Sequence, residues 1–338
     1  MRAVLAKAFG SPSEFRIEEL PMGLPGPGQI RISVRAAGIS FVDVLIAAGR
    51  YQIKPPLPFV PGTEFSGVVD TVGAKVTGLK AGDRVFASAM GGAFAEQAIV
   101  DAGAATRMPP AMSFQEGSVF RVSYSTAYHA LAQRARLQAG ETVLVLGSGG
   151  AIGQAAVQIA KALHARVIAS ASSEAKRRMA KKSGADEVVD SSAANWREQV
   201  KSFGGGRGVD VVVDPVGGSA TEPAFRSLGW KGRHLIIGFA AGEIPRLPVN
   251  LALLKGADLI GVDIRQFGIY EPGVSAANFS KLLELYGTGS LRPQIAICHP
   301  FEHFAEAMNA AADGTRAGRV VLDFRAPHAA ETCAKATP

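Results

Sequence analysis

A glycine-rich segment between an apolar run and a helical pattern places the strongest constraint on the fold of this 338-residue chain. It reads Thr142-Val-Leu-Val-Leu-Gly147-Ser-Gly-Gly150-Ala-Ile-Gly153, and apolar residues with helical spacing continue to Ala160. Glycine permits a tight turn at 147, a close backbone approach at 150 and close helix packing at 153, and it leaves backbone N–H groups open for phosphates. We therefore predict a strand, a turn and a helix N-terminus that together bind a dinucleotide.

The spacing Gly-x-x-Gly-x-x-Gly is by itself only weak evidence for a dinucleotide site. The alternating strands and helices that follow this segment support the prediction. Five further β-rich runs, separated by helical segments, occupy residues 165–170, 187–189, 209–214, 232–238 and 258–262. Continuous apolar strands that alternate with helices predict a doubly wound parallel sheet, in which nucleotides bind at the carboxyl ends of the strands. We assign residues 123–262 to this dinucleotide-binding domain.

The end of the second predicted strand decides between the two nicotinamide dinucleotides. NAD-binding folds place an Asp or Glu about 20 residues after the first glycine, where it holds the ribose 2′-hydroxyl. Here Ser172 and Ser173 stand at the strand end, and Lys176 and Arg177 follow where they can pair with a 2′-phosphate. We predict NADPH as the cofactor. Two alternatives stay open: the basic run is a solvated helix face, or Glu174 turns toward the ribose.

The first 122 residues have a different pattern, with β-rich segments separated by Gly and Pro turns such as Pro25-Gly-Pro-Gly28. This pattern predicts a twisted, mostly antiparallel β-domain. The helix and strand signals after Val262 are expected to return to it, so the first domain comprises residues 1–122 and 263–325. We expect the Ala-rich tail, 326–338, to be disordered.

Composition is typical of a globular enzyme of two domains, with 47% hydrophobic and 19% charged residues. We expect a cytoplasmic protein with no membrane association, because no apolar run has membrane-spanning length and the N-terminus does not resemble a signal peptide. The net charge of +7 comes from scattered basic residues. Attraction for a polyanionic cofactor explains this charge more simply than nucleic-acid binding does.

A series of different short motifs occurs along the chain from Met1 to about Phe324. They are Ala36-Ala-Gly-Ile-Ser40-Phe-Val-Asp43, Gly49-Arg-Tyr51, Pro58-Phe-Val-Pro-Gly62-Thr-Glu64, Gly82-Asp-Arg-Val85, Thr126-Ala-Tyr128, the glycine loop, Gly184-Ala-Asp186 and Asp214-Pro-Val-Gly-Gly218. Their order and spacing resemble the medium-chain dehydrogenase/reductase superfamily, and more narrowly its zinc-independent, zeta-crystallin-like NADPH:quinone oxidoreductase family. The resemblance implies an α/β fold with a GroES-like β-domain and a Rossmann domain with a doubly wound parallel sheet, and it implies a homodimer.

The resemblance also bears on metal binding. Alcohol dehydrogenases of the superfamily hold a catalytic zinc with a Cys after the Ala-Ala-Gly segment and a His before the Glu of the Pro-Gly-x-Glu turn. This chain has Ser40 and Thr63 at those places, and neither is a credible zinc ligand. Cys298, His299 and His303 are close in sequence but need not converge. We therefore predict that the protein has no metal site.

The resemblance and the strand ends together imply the site residues. Tyr51 is expected to donate a proton at the active site and Ser40 to act as a second donor, although Tyr51 covering the cleft and Ser40 capping the helix that starts at Phe41 are alternatives. The residues expected to bind the cofactor lie in the glycine loop, at strand ends or near the nicotinamide: Thr126, Gly147, Ser148, Gly149, Gly150, Ala151, Ile152, Gly153, Ser172, Ser173, Lys176, Arg177, Asp214, Val216, Gly238, Phe239, Ala240, Val262, Ile264 and Arg319.

The predicted reaction is one that needs little carbonyl polarisation, because no Lewis acid is expected. Quinones suit such a site, since their reduction gives an aromatic hydroquinone whose oxygens take protons from solvent. We predict an enzyme that transfers hydride from NADPH to a quinone. The alternative is an NADPH-dependent enone or enoyl-thioester reductase, in which a proton is delivered to carbon. A nucleotide- or RNA-binding protein with little turnover is the third hypothesis.

Overall fold

The chain is divided into two compact units in this computed structural model, which describes residues 1–325. Within the described residues, one unit comprises Met1–Val122 and residues 293–325, and the other comprises Ser123–Arg292. The predicted tail, 326–338, lies outside the described residues. No helix within residues 1–325 is both long enough and apolar enough to cross a membrane.

The secondary structure follows the alternation expected from the sequence. The strands in chain order are β1 (Arg2–Leu5), β2 (Arg16–Glu19), β3 (Gln29–Ile39), β4 (Glu64–Val72), β5 (Arg84–Ser88), β6 (Gln97–Asp101), β7 (Ala105–Arg107), β8 (Thr142–Val145), β9 (Arg166–Ala171), β10 (Glu187–Asp190), β11 (Val209–Asp214), β12 (Leu228–Ile236), β13 (Asp258–Gly261), β14 (Ile295–Pro300) and β15 (Arg319–Asp323). The α-helices are α1 (Phe41–Ala47), α2 (Phe114–Gly117), α3 (Arg121–Tyr128), α4 (Ala151–Ala162), α5 (Glu174–Lys182), α6 (Trp196–Phe203), α7 (Thr221–Arg226), α8 (Asn250–Lys255), α9 (Ile264–Tyr270), α10 (Pro272–Gly287) and α11 (Phe304–Ala312).

The first unit is built on a sheet of order β14-β15-β3-β4-β5-β7, with β6 also paired to β3. All of its strand pairs are antiparallel except β14 with β15. The long strand β3 is central, and its buried side chains Ile30, Ile32 and Val34 alternate with less buried ones. Alternation of this kind buries one face of a sheet and leaves the other partly solvated, as in many antiparallel sheets. The predicted GroES-like β-domain is confirmed.

The second unit contains a six-stranded parallel sheet of order β10-β9-β8-β11-β12-β13. Its central strands are apolar on both faces, because helices cover the sheet on either side: Val143, Leu144 and Val145 of β8 are fully buried. The strand order reverses between β8 and β11, which is the point where doubly wound folds bind dinucleotides. The predicted Rossmann sheet is confirmed.

The structure divides the segment 263–325, which the sequence assigned as a whole to the first domain. Helices α9 and α10 pack on the second unit, where the ring of Phe267 stacks on His129 at 3.9 Å between centroids. The side-chain amide of Gln133 also donates to Asn278 Oδ1 at 3.1 Å. The assignment of 263–292 to the first domain is therefore wrong, because these contacts come from a π-helical turn after α3, His129–Arg134, that the sequence pattern did not reveal.

Candidate functional site

The glycine loop joins β8 to α4 in a conformation that side chains would prevent. Gly147 has φ of +57°, a left-handed value that favours glycine. A Cβ on Gly153 would lie 2.2 Å from the carbonyl oxygen of Gly147, so α4 can approach the loop only with glycine there. Gly150 precedes α4 and provides no side-chain cap for its first turn. The N–H groups at this helix end are thus suited to an anionic ligand.

The end of β9 brings Lys176 to the glycine loop. A Cβ on Gly149 would lie 2.4 Å from Cγ of Lys176, so the aliphatic stem of this lysine covers the loop at that glycine. Ser173 caps α5 by accepting from the backbone N–H of Lys176. Glu174 pairs with Arg178 on the same helix and not with a group of the loop. The described residues at this strand end therefore place the aliphatic stem of a lysine, and no carboxylate, against the glycine loop.

Arg177 makes different contacts from those of the adjacent Lys176. Its Nη1 donates to the carbonyl oxygen of Ala171 at 3.0 Å and pairs with Asp190 Oδ2 at 3.0 Å. These contacts join the ends of β9 and β10. Arg177 thus has a structural role that its position in a basic run did not indicate.

The loops after β11 and β12 meet each other, and the first of them meets the glycine loop. A Cβ on Gly147 would lie 2.8 Å from Cγ2 of Val216. The N–H of Ala240 donates to Pro215 O at 3.2 Å, and that of Ala241 donates to Val216 O at 2.8 Å. Residues 214–218 and 238–241 are therefore neighbours at the carboxyl edge of the sheet. Asp214 lies beneath them, fully buried.

The remaining residues predicted to bind cofactor fall in three places. Thr126 is buried within α3. Val262 follows β13 and donates its N–H to Ile236 O at 3.0 Å, and Ile264 begins α9. Arg319 lies in β15 of the first unit, not on the sheet that carries the glycine loop, and its Nη1 donates to Val119 O at 3.1 Å.

Both residues predicted to be catalytic lie at the two ends of α1 in the first unit. Ser40 is its N-cap: the Ser40 hydroxyl donates to Asp43 Oδ2 at 2.7 Å, and the same carboxylate accepts from the Ser40 N–H at 2.7 Å. The structure thus shows the capping alternative for Ser40, whereas its catalytic role stays a prediction. Tyr51 follows the helix after Gly49, is half-buried and packs against the core of the unit.

A cluster of buried charges surrounds Asp43 in the first unit. Asp43 and Glu64 are each at most 2% exposed, and Arg319 is 6% exposed. Glu64 Oε1 accepts the Val122 N–H at 2.9 Å, and its Oε2 lies 4.0 Å from Arg319 Nη2. Burial raises the pKa of Asp43, against the hydrogen bonds from Ser40. Burial also raises the pKa of Glu64 to about 7, although the Arg319 charge opposes this shift.

Two polar groups near the predicted site were missed by the sequence interpretation. One is Glu64, which begins β4 directly before the apolar Phe65, and a carboxylate buried at such a position needs a hydrogen-bond or charged partner. His234 is the second. It lies in β12 between Arg233 and Leu235 and is itself fully buried, and a buried histidine needs a polar partner, which is Asp214.

Comparison with known proteins places this geometry in a family. The family model described as "Alcohol dehydrogenase GroES-like domain" matches residues 26–110, and that described as "Zinc-binding dehydrogenase" matches residues 151–283. The quinone oxidoreductase-like protein 2 homolog of Nematostella vectensis is 34% identical over 330 residues, which cover 96% of this chain and 89% of the relative. Human quinone oxidoreductase is 31% identical over 325 residues, which cover 95% of this chain and 97% of the human protein.

A solved structure agrees with this relationship. The Escherichia coli quinone oxidoreductase complexed with NADPH matches with a TM-score of 0.88 and 26% identity, covering 96% of this chain and 100% of that one. The fold and the glycine loop define a two-unit protein of the dinucleotide-binding dehydrogenase class. The chain belongs to the medium-chain dehydrogenase/reductase superfamily, a group of oxidoreductases, and within it to the quinone oxidoreductase-like branch.

The side chains present do not fit the zinc that one family description mentions. Where the zinc-containing relatives have Cys and His, Ser40 and Thr63 offer hydroxyls, and that of Ser40 is donated to Asp43. Neither hydroxyl is a competent zinc ligand. Within residues 1–325, no three His, Cys, Asp or Glu side chains are grouped so as to hold a metal ion. The absence of a metal from the protein stays a prediction.

The buried Glu64 predicts a pH dependence of stability. Its pKa is about 7 in the folded protein and near the ordinary 4.5 when unfolded, so the folded state binds more protons between these values. The free energy of unfolding should therefore fall as pH rises from 4.5 to 7, by about 3 kcal/mol for this group. Denaturation with urea, followed by circular dichroism at several pH values, measures this slope.

The variant Glu64→Gln tests the assignment, because glutamine keeps an oxygen for the Val122 N–H but does not titrate. We expect the fall between pH 4.5 and 7 to be smaller in this variant. The exposed Glu198→Gln on α6 is the control and should leave the slope unchanged. An unaltered slope in Glu64→Gln would mean that Glu64 titrates normally.

Proposed function

We propose that this protein is an NADPH-dependent oxidoreductase that reduces quinones without a metal ion. The observation that carries the proposal is the position of Lys176 over Gly149, beside a strand end that lacks a free carboxylate. Family membership and the NADPH complex of the Escherichia coli relative support it. The cytoplasmic location stays a prediction from the sequence.

The residues of the second unit fit a bound dinucleotide. The uncapped first turn of α4 would bind the pyrophosphate through its backbone N–H groups, and Gly153 lets this turn approach the glycine loop. Lys176 would neutralise the 2′-phosphate that distinguishes NADPH from NADH. When bound, the reduced nicotinamide supplies the hydride for reduction of the substrate.

Tyr51 is the proposed proton donor in the first unit. Its half-buried ring is held by the core, which keeps the orientation of the phenol restricted. The hydroxyl of Ser40 is a weaker candidate, since it already donates to Asp43. For a quinone, a hydrogen bond from the phenol to the substrate oxygen is enough, because solvent can protonate a hydroquinone. For an enone, the same phenol must deliver a proton to carbon.

Replacing Lys176 by Ala should weaken binding of NADPH and leave that of NADH almost unchanged. Loss of a charge-assisted phosphate contact implies about 1.5 to 3 kcal/mol, which is roughly a tenfold to hundredfold rise in the Kd for NADPH. Fluorescence titration of both cofactors with wild type and variant measures the difference.

Two other basic residues of α5 serve as controls. Arg178→Ala removes the same charge from an exposed position paired with Glu174, and should change neither affinity substantially. Arg177→Ala removes the bridge to Asp190 and should affect both cofactors similarly. Equal affinity of wild type for NADPH and NADH would show that the proposed cofactor preference is wrong.

The substrate class is tested with Tyr51→Phe. Quinone turnover should fall only modestly, whereas reduction of an enone should fall by about a hundredfold or more, as expected for a lost general acid. Both are followed by NADPH absorbance with a chelator present, which should not reduce the wild-type rate.

Two results of this assay would contradict the proposal. If wild type reduces enones faster than quinones, and Tyr51→Phe abolishes enone reduction, the protein is an enone reductase. If NADPH binds but neither substrate class is reduced, the enzymatic function itself is wrong.

We also propose that the protein is a homodimer, joined through the edge strand β13. Leu259 of this strand is 52% exposed, and Trp230 on the neighbouring strand β12 is 71% exposed. An edge strand with apolar side chains favours pairing with another strand, and a second copy gives a closed two-fold contact. Leu259→Asp should convert dimer to monomer in sedimentation at micromolar concentration. Leu24→Asp, which changes an even more exposed leucine of the first unit, should not.

A further inference from the structure

Asp214 is the centre of a fully buried hydrogen-bond network in the second unit. Its Oδ1 accepts the backbone N–H groups of Val216 at 2.9 Å and Gly217 at 2.8 Å. Its Oδ2 accepts the hydroxyl of Thr221 at 2.7 Å and faces His234 Nε2 at 3.1 Å. The carboxylate thus uses both oxygens twice, and no part of it is exposed.

The surroundings of the His234 ring determine which of its nitrogens carries the proton in this network. Its ring packs beside that of Phe225, with 5.8 Å between centroids, and its Nδ1 has no hydrogen-bond partner among the described residues. The proton is therefore assigned to Nε2, which donates to Asp214. Burial raises the pKa of Asp214, but the hydrogen bonds from His234, Gly217 and Thr221 outweigh it and keep the pKa below its usual range.

The network determines the path of the loop after β11. Gly217 has φ of +69°, and a Cβ there would lie 2.8 Å from the ring of Phe239, so this turn tolerates only glycine. Val216 packs against Gly147, and its carbonyl accepts the N–H of Ala241. One carboxylate therefore holds a loop that contacts both the glycine loop and the loop after β12.

This loop belongs to one half of the dinucleotide site. A doubly wound sheet binds a dinucleotide with two mononucleotide-binding halves, one on each side of the point where strand order reverses. The half formed by β8, β9 and β10 carries the glycine loop and Lys176, and would hold the adenosine 2′-phosphate. The half formed by β11, β12 and β13 carries Asp214, and would hold the nicotinamide mononucleotide.

We infer that Asp214 and His234 are positioning residues for the nicotinamide half of the cofactor, which they support by setting residues 215–218 without contacting it. The inference rests on the proposed NADPH function. It changes the role expected for Asp214, which is enclosed by its own loop and has no surface to offer a ligand.

The test separates the two halves of the cofactor by titrating NADPH and adenosine 2′,5′-bisphosphate. In Asp214→Asn, one oxygen must serve four donors, so two of them lose their acceptor. We expect the Kd for NADPH to rise about tenfold and that for adenosine 2′,5′-bisphosphate to change less than about twofold. Lys176→Ala should show the other pattern, weakening both ligands.

Variants of His234 provide a second measurement if Asp214→Asn does not fold. His234→Leu removes the donor, whereas His234→Gln keeps an N–H near the position of Nε2. We expect His234→Leu to weaken NADPH selectively, and His234→Gln to restore most of that affinity. Thr221→Val, which removes the other side-chain donor at similar volume, should act in the same direction as His234→Leu.

Failure of the inference is distinguishable from failure of the proposed function. If wild type binds neither ligand, the proposed cofactor is wrong and the inference falls with it. If wild type binds both, and the Asp214 and His234 variants weaken both equally or neither, the network only stabilises the fold. In that case the positioning role alone is overturned.

Discussion

The close approach of α4 to the end of β8 is the constraint on which the rest of the second unit depends. The carbonyl oxygen of Gly147 would lie 2.2 Å from any Cβ at position 153, so one missing side chain permits backbone to pack on backbone. This contact fixes the helix N-terminus at the carboxyl edge of the sheet. The stem of Lys176 and the methyl of Val216 then pack on the same loop, at Gly149 and Gly147. The glycines therefore allow both side chains to pack directly on the loop.

Two buried carboxylates, Asp214 and Glu64, organise the loops and strand ends around them. Asp214 is held ionised by four hydrogen bonds, because each of its oxygens has two donors. Glu64 accepts the backbone N–H of Val122 and lies 4.0 Å from Arg319, so burial dominates and its pKa rises. Two buried carboxylates thus have opposite pKa shifts in the two units, since the number and distance of the donors decide whether hydrogen bonds outweigh the penalty that burial places on the charged form.

Family membership narrows the chemistry without determining the substrate. The superfamily includes zinc enzymes, but the hydroxyls of Ser40 and Thr63 occupy the ligand positions here. The metal-free site that we propose would favour substrates that accept hydride readily, which both quinones and enones do. The two classes differ in where the proton goes, and Tyr51 is the residue that we propose as its donor.

The sequence by itself determined the fold class, the glycine loop and the lack of a carboxylate at the end of β9, because these depend on local patterns of apolar residues and glycines. Tertiary structure decided which contacts each side chain of the basic run at the start of α5 makes. Lys176 lies on Gly149 while Arg177 turns to Asp190, although both follow the same strand. It also assigned 263–292 to the second unit and paired His234 with Asp214. Such choices depend on residues far apart in the chain, whose proximity no local pattern encodes.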